Sequence, residues 1–252
     1  MEKTFDSNKD YHSSSNISAS GLKTIYSQSV SYFLNQKYNE TEAMKFGTAV
    51  HTLILEGRNE FKKNYYFMPK LDLRKKANKE IRDQHLKIAK NKILLDSEVG
   101  RNLFTIVKNL EQDKLALYYC NGIVEQSHYG TFEGVKIRVR PDCHSDTWIS
   151  DVKTCRDISL KSFRSEVRNR NYDLQATFYC DALGYDPRKF RFVAIRNQYP
   201  FDVAVYSLND DQIEAGRYKY LHALRLWKHY KDTGVALGIY SDNKNEDGSI
   251  VL

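Results

Sequence analysis

The chain has 252 residues and carries 39 Lys and Arg against 32 Asp and Glu, a formal net charge of +7 with a pI near 9.0. This length can bury a substantial core. No apolar run approaches the ~18 residues of a membrane span, and the opening Met1-Glu-Lys-Thr-Phe-Asp6 is polar where a signal peptide would be apolar. A soluble, cytoplasmic protein is therefore expected, and the basic excess favours a polyanionic partner. Cys120, Cys143, Cys155 and Cys180 show no C-x-x-C spacing, which argues against a zinc site and reads as free thiols in a reducing compartment.

In chain order, residues 1–17 are polar and expected to be loosely held. Ser18 or Ser20 can cap a helix running to about residue 36. A second helix over 42–56 carries Ala43, Phe46, Ala49, Val50 and Leu53 along one stripe, and Gly57 stops it. Residues 58–70 read as irregular, 72–94 as a basic helix rich in lysine and arginine, and 97–112 as another helix. Strands follow near 123–132, 135–142 and 147–154, with Glu133-Gly134 at the first turn. Helices near 159–168 and 172–184 precede strands near 190–197 and 201–207, and a long helix over 209–232 leads into a polar tail. Three strands, helices and then further strands predict an α/β centre with helices around it.

The most informative stretch runs from Val139 to Lys153, Val-Arg-Pro-Asp142-Cys-His-Ser-Asp-Thr-Trp-Ile-Ser-Asp151-Val-Lys153. An acid closes one short apolar strand; a second acid and a lysine sit two apart on the next. Trp148, Ile149, Val152 and Thr154 favour a strand. Side chains alternate along a strand, so Asp151 and Lys153 share a face while Val152 points into the core. The connection His144-Ser-Asp-Thr147 is short enough to pair the two strands antiparallel and bring Asp142 near Asp151. Two close carboxylates repel unless a cation sits between them. Such a site can hold a divalent metal against a phosphodiester with a lysine beside the attacking water. On these strands alone, a surface hairpin with solvated charges reads equally well.

Three features bear on that hairpin. Gly47 and His51 lie four apart on the second helix, and the glycine suits a close approach beside the imidazole; a half-buried structural histidine fits as well. Gln175 and Tyr179 are four apart on one helix face and can hydrogen-bond a phosphate or a metal-bound water, although such pairs are common on solvated faces. Glu125, near the start of the first strand, is either a further metal carboxylate or an exposed edge charge.

Taken in order, Gly47-x-x-x-His51, Asp142, Asp151-x-Lys153 and Gln175-x-x-x-Tyr179 resemble the RecB-like branch of the PD-(D/E)XK nucleases, and more narrowly the exonuclease VIII (RecE-type) nuclease domain of phages and prophages. Ser18-Ala-Ser-Gly-Leu22 and Gly47-Thr-Ala-Val-His-Thr-Leu-Ile-Leu-Glu56 fit that family too, and the resemblance spans roughly residues 10–210. Asp151 stands where many relatives carry Glu, a choice the RecE branch shares, and the four-cysteine iron–sulfur cage of some relatives is absent. The resemblance implies a restriction-endonuclease-like core, a central mixed β-sheet flanked by helices with an N-terminal helical elaboration. It implies a flexible segment 1–17, one nuclease domain 18–232 (helical part 18–120, catalytic core 121–208, C-terminal helix 209–232) and a polar tail 233–252.

By the same resemblance, Asp142, Asp151 and the Val152 carbonyl would hold Mg²⁺, with Mn²⁺ substituting and two ions per site. His51 would serve a second metal or its waters, with Glu125 the less secure candidate there. Lys153 would orient and deprotonate the attacking water, and Gln175 and Tyr179 would position the scissile strand. Arg164, Arg168 and Arg170, with Arg138 and Arg140, are the candidate DNA contacts, ahead of the basic 72–94 helix. The implied function is digestion of linear duplex ends to expose single strands for recombination by annealing. The implied partners are double-stranded DNA ends, a RecT-type annealing protein and further copies of the chain in a ring, in a bacterial host cell and encoded by a phage or prophage. A RecB-like repair or restriction endonuclease, or a non-catalytic DNA-binding module on the same fold, are the alternatives.

Overall fold

The computed structural model describes residues 1–37, 39–239, 245, 247, 249 and 250. Its first half comprises β1 (Glu2–Thr4), α1 (Asn8–Ser13), α2 (Ala19–Ser27), α3 (Val30–Asn35), α4 (Glu42–His51), a π-helical turn (Thr52–Glu56), α5 (Gly57–Asn64), β2 (Tyr65–Met68), α6 (Lys76–Ile88), β3 (Ile93–Asp96), α7 (Ser97–Gln112) and α8 (Lys114–Tyr119). The second half comprises β4 (Ile123–Val124), β5 (Ser127–Phe132), β6 (Val135–Val139), β7 (Cys143–His144), β8 (Ile149–Cys155), α9 (Leu160–Asn169), α10 (Tyr172–Leu183), β9 (Phe190–Arg196), β10 (Val203–Tyr206) and α11 (Asp210–Thr233).

The central sheet has the order β10-β9-β8-β7-β4. Only β8 and β9 run parallel, with Ile149 opposite Phe190 and Cys155 opposite Arg196. A parallel pair needs a crossover connection, and α9 and α10 supply it. Strand alternation then divides the core between the two sheet faces. Ile149, Phe190, Phe192 and Ala194 pack with Leu22 of α2, Leu174 and Phe178 of α10 and Leu224 of α11. Val152, Val193 and Ile195 pack on the other side with Ala49 and Val50 of α4 and Leu103 and Ile106 of α7. The fold is thus α/β, a mixed sheet flanked by helices, as the sequence implied. No helix among the described residues is long and apolar enough to cross a membrane.

Several expectations need correction. Residues 1–17 are ordered into β1 and α1: β1 pairs with β5, and Tyr11 and Ile17 are buried. The helix read as 18–36 is two, because Ser29 breaks off to cap α3 through Tyr32 N at 2.9 Å, whereas the Ser18 cap on α2 forms as expected. Residues 58–70 hold α5 and β2, and β2 pairs in parallel with β3, the end of what read as a long basic helix. The strand read as 123–132 is β4 and β5, which belong to different sheets. The 135–142 strand does not pair with the 147–154 strand: β6 pairs with β5, and the short β7 is the hairpin partner of β8. Part of the 233–252 tail lies outside the described residues.

Candidate active site

The site forms where the chain passes between sheets. Glu125 lies between β4 and β5, Asp142 between β6 and β7, and the two crossings are tied by Glu125 N donating to the Asp142 carbonyl at 3.2 Å. β7 covers only the first two residues of β8, so the edge of β8 beyond Ser150 has no strand beside it. Buried backbone groups need partners, and at Val152 side chains provide them. Val152 N–H donates to Asp142 Oδ2 at 2.7 Å, and the Val152 carbonyl lies 2.8 Å from His51 Nε2. His51 Nδ1 is 3.5 Å from Asp142 Oδ2. Its helix, α4, comes close to β8 at Gly47, where a Cβ would stand 3.3 Å from Thr154 Oγ1.

On the opposite face of β8, Asp151 is 1% exposed. Its Oδ2 pairs with the Lys153 ammonium, and its Oδ1 accepts from Gln175 Nε2 at 2.6 Å. Lys153 also lies 4.7 Å from the centre of the Tyr172 ring, a cation–π contact. Burial pulls the Lys153 ammonium down, but Asp151 and Asp142 outweigh it and hold it above the usual lysine range. Asp142 is pushed up to about 6 by burial and by Asp151, with His51 and Lys153 opposing. Glu125 is pushed up to about 8 by burial and by Asp142, with Arg140 opposing.

His51, Glu125 and Asp142 each offer a ligand atom, all within 4.8 Å of one another. This triad, the one such group among the described residues, fits a divalent cation: two hard carboxylate oxygens and an imidazole converge, and close, half-buried like charges are what such an ion relieves. Asp151 and the Val152 carbonyl, expected as ligands beside Asp142, are turned to Lys153 and Gln175 and to His51 respectively. A cavity of about 800 Å³ opens over the site, lined by His51, Glu125, Val152, Lys153, Arg170 and Tyr172 among others.

The remaining sequence candidates divide. Gln175 joins the site. Tyr179 is buried in the core beneath it, its hydroxyl held well above the usual range by burial and by Tyr11, Asp151, Asp142 and Glu125. Arg170 lines the cavity and pairs with Glu166. Arg164 and Arg168 line a separate groove of about 670 Å³ with Lys161. Arg140 is only 8% exposed, and its guanidinium is occupied: it donates to Ser127 Oγ at 2.8 Å and Asn8 Oδ1 at 2.7 Å and lies 4.0 Å from the centre of the Tyr11 ring. These contacts fix the N-terminal segment beside Glu125, and Arg140 also lines the cavity over the site. Arg138 likewise donates to the Ser14 carbonyl.

Two residues at the site were not anticipated. Tyr172 opens α10, and Lys23 of α2 donates to Gln175 Oε1 at 3.0 Å. Neither carries a local signal, because Lys23 reaches the site only through the packing of α2 on α10.

Comparison with known proteins bears on the family and the fold. Residues 18–236 match the family model described as PDDEXK-like domain of unknown function (DUF3799). No curated protein matches significantly. The fold is similar to the crystal structure of a "Putative exonuclease" from Eubacterium rectale, with a TM-score of 0.61 and 16% identity, covering 92% of this chain and 88% of that one.

Proposed function

We propose that this chain, which belongs to the PDDEXK-like family DUF3799, is a metal-dependent deoxyribonuclease that degrades linear duplex DNA from its ends. The observation that carries the reading is the gathering of His51, Glu125, Asp142, Asp151 and Lys153 around one open edge of β8, beneath a large cavity. The donor set suits Mg²⁺, with Mn²⁺ substituting, held by His51, Glu125 and Asp142; a second ion would draw on Asp151 and the Val152 carbonyl only if it displaced their contacts to Lys153 and His51. A divalent ion bound there supplies charge that polarises the phosphate and acidifies a water.

The chain's own residues do the rest. Lys153 is an ammonium on the cavity wall, seated between Asp151 and the Tyr172 ring. It would orient the attacking water and steady charge growing on the phosphate, for which a point charge suffices. Gln175 fixes Asp151 from behind. Arg170 at the cavity, with Arg164 and Arg168 in the separate groove, would hold the DNA backbone without reading sequence. A ring of copies and an annealing partner rest on the RecE-type resemblance alone; end-dependence rests on it and on the name "Putative exonuclease" of the Eubacterium rectale structure.

The test incubates the protein with end-labelled linear duplex and with closed circular DNA in Mg²⁺. Loss of the linear DNA alone is expected. Cutting of the circle would replace this reading with an endonuclease, and cleavage of neither would overturn it.

A further inference from the structure

Gln175 is 7% exposed and both ends of its amide are occupied: Nε2 donates to Asp151 Oδ1 at 2.6 Å, and Oε1 accepts from Lys23 Nζ at 3.0 Å. An amide oxygen only accepts and an amide nitrogen only donates, so the acceptor-only Asp151 carboxylate in front and the donor-only Lys23 ammonium behind select the same orientation of Gln175. Lys23 is a pure donor and supports the nitrogen facing Asp151. With that donor removed, Oε1 would be left without its partner in a buried site, and the amide that holds Asp151 would lose its second anchor.

Lys23 is not among the residues that line the cavity, so it is not placed to touch a nucleic acid there. It is held on α2 between the buried Leu22 and Ile25, and its ammonium lies 5.5 Å from the centre of the Tyr172 ring. Burial and the neighbouring Lys153 pull it down to about 8, against the attraction of Asp151. A lysine so placed is a costly residue on a core-facing helix, and the Gln175 contact gives it a use.

We propose that Lys23 is a positioning residue that locks the Gln175 amide, and through it the Asp151 carboxylate, in the orientation the active site requires. The proposal rests on the nuclease reading of the same site.

The experiment compares wild type with Lys23→Met, Lys23→Gln, Lys23→Arg, Gln175→Leu and the Lys23→Met/Gln175→Leu pair. Readouts are kcat and KM on linear duplex and Mn²⁺ affinity by calorimetry. Lys23→Met is expected to lower kcat and Mn²⁺ affinity about 10- to 100-fold, the usual effect of losing an outer-shell partner, with KM unchanged. Lys23→Arg, which keeps a charged donor, should recover most of the loss. The double variant should be no worse than Gln175→Leu alone, because the two act as one unit.

Wild-type kcat and Mn²⁺ affinity in Lys23→Met would overturn the proposal. So would multiplicative losses in the double variant, or a raised KM with kcat intact, which would make Lys23 a DNA contact. If Lys23→Met fails to fold, Lys23→Gln is read in its place. A wild type that does not cleave DNA would sink the nuclease reading; Mn²⁺ affinity would then decide on Lys23, unchanged affinity in the neutral variant overturning it.

Discussion

Gly216 sits in the middle of α11, where helix propensity alone says that alanine would be better by ~1 kcal/mol. The packing predicts the opposite sign. A Cβ at Gly216 would lie 2.5 Å from the Asp173 carbonyl oxygen and 2.7 Å from Thr177 Oγ1, both on α10. Real Cβ contacts essentially never fall below 3.0 Å, so α10 and α11 would have to part by about 0.5 Å or more. They are also clamped at the same level, where Lys219 Nζ donates to Asp173 Oδ2 at 2.7 Å and Oδ1 at 3.0 Å. Overpacking a close-packed contact costs ~1–3 kcal/mol. Set against the propensity gain, Gly216→Ala should destabilise by up to ~2 kcal/mol, seen as a lower urea midpoint with unchanged m-value. Because α10 carries Gln175, the shift should also loosen the clamp on Asp151. A raised midpoint, with stability increased by ~1 kcal/mol as for an ordinary exposed helical glycine, would refute the close approach of the two helices.

His128 is 2% exposed, and burial, with a smaller push from His144, depresses it from 6.5 to about 4. A lowered histidine contributes stability that is complete above pH 6.5 and is lost as pH falls toward 4, amounting to at most ~3 kcal/mol. His128→Phe should flatten that acid limb of the urea midpoint, and an unaltered pH slope would reject the assignment. Arg164→Ala with Arg168→Ala should weaken DNA binding equally across sequences and reduce the slope of log affinity against log salt by about 2; an unchanged slope would remove these arginines from the DNA path. Asp142→Asn should lower Mn²⁺ affinity at least ~10-fold by calorimetry, more than the outer-shell minimum, and wild-type affinity would exclude Asp142 as a ligand.

The parts of the fold that follow from local pattern were legible. The alternation through Trp148, Ile149, Val152 and Thr154 predicts β8, and its period of two puts Asp151 and Lys153 on one face and Val152 on the other, as the structure has them. The Ser18 cap and α7 follow equally from local chemistry. What failed was long-range. The break between β4 and β5 falls at Glu125, which takes a left-handed φ of 50° that usually marks a glycine, so nothing in the sequence divides the strand. β1 is Glu-Lys-Thr and looks like a polar tail, because its pairing with β5 uses backbone groups. Parallel pairing of β2 with β3 leaves no turn signal. The same limit hid Lys23, whose role depends on two helices meeting.

The central claim is metal-dependent phosphodiester cleavage at a site that needs Lys153. It is tested most directly by the rate at which a labelled linear duplex is degraded in Mg²⁺ by wild type and by Lys153→Ala, each repeated in EDTA, with DNA affinity measured in parallel. Wild type should cleave only with the metal, and Lys153→Ala should cleave at least ~100-fold more slowly, the loss expected for one transition-state donor, while binding DNA as before. Cleavage by Lys153→Ala at the wild-type rate, or by wild type in EDTA, would contradict the assignment of this site.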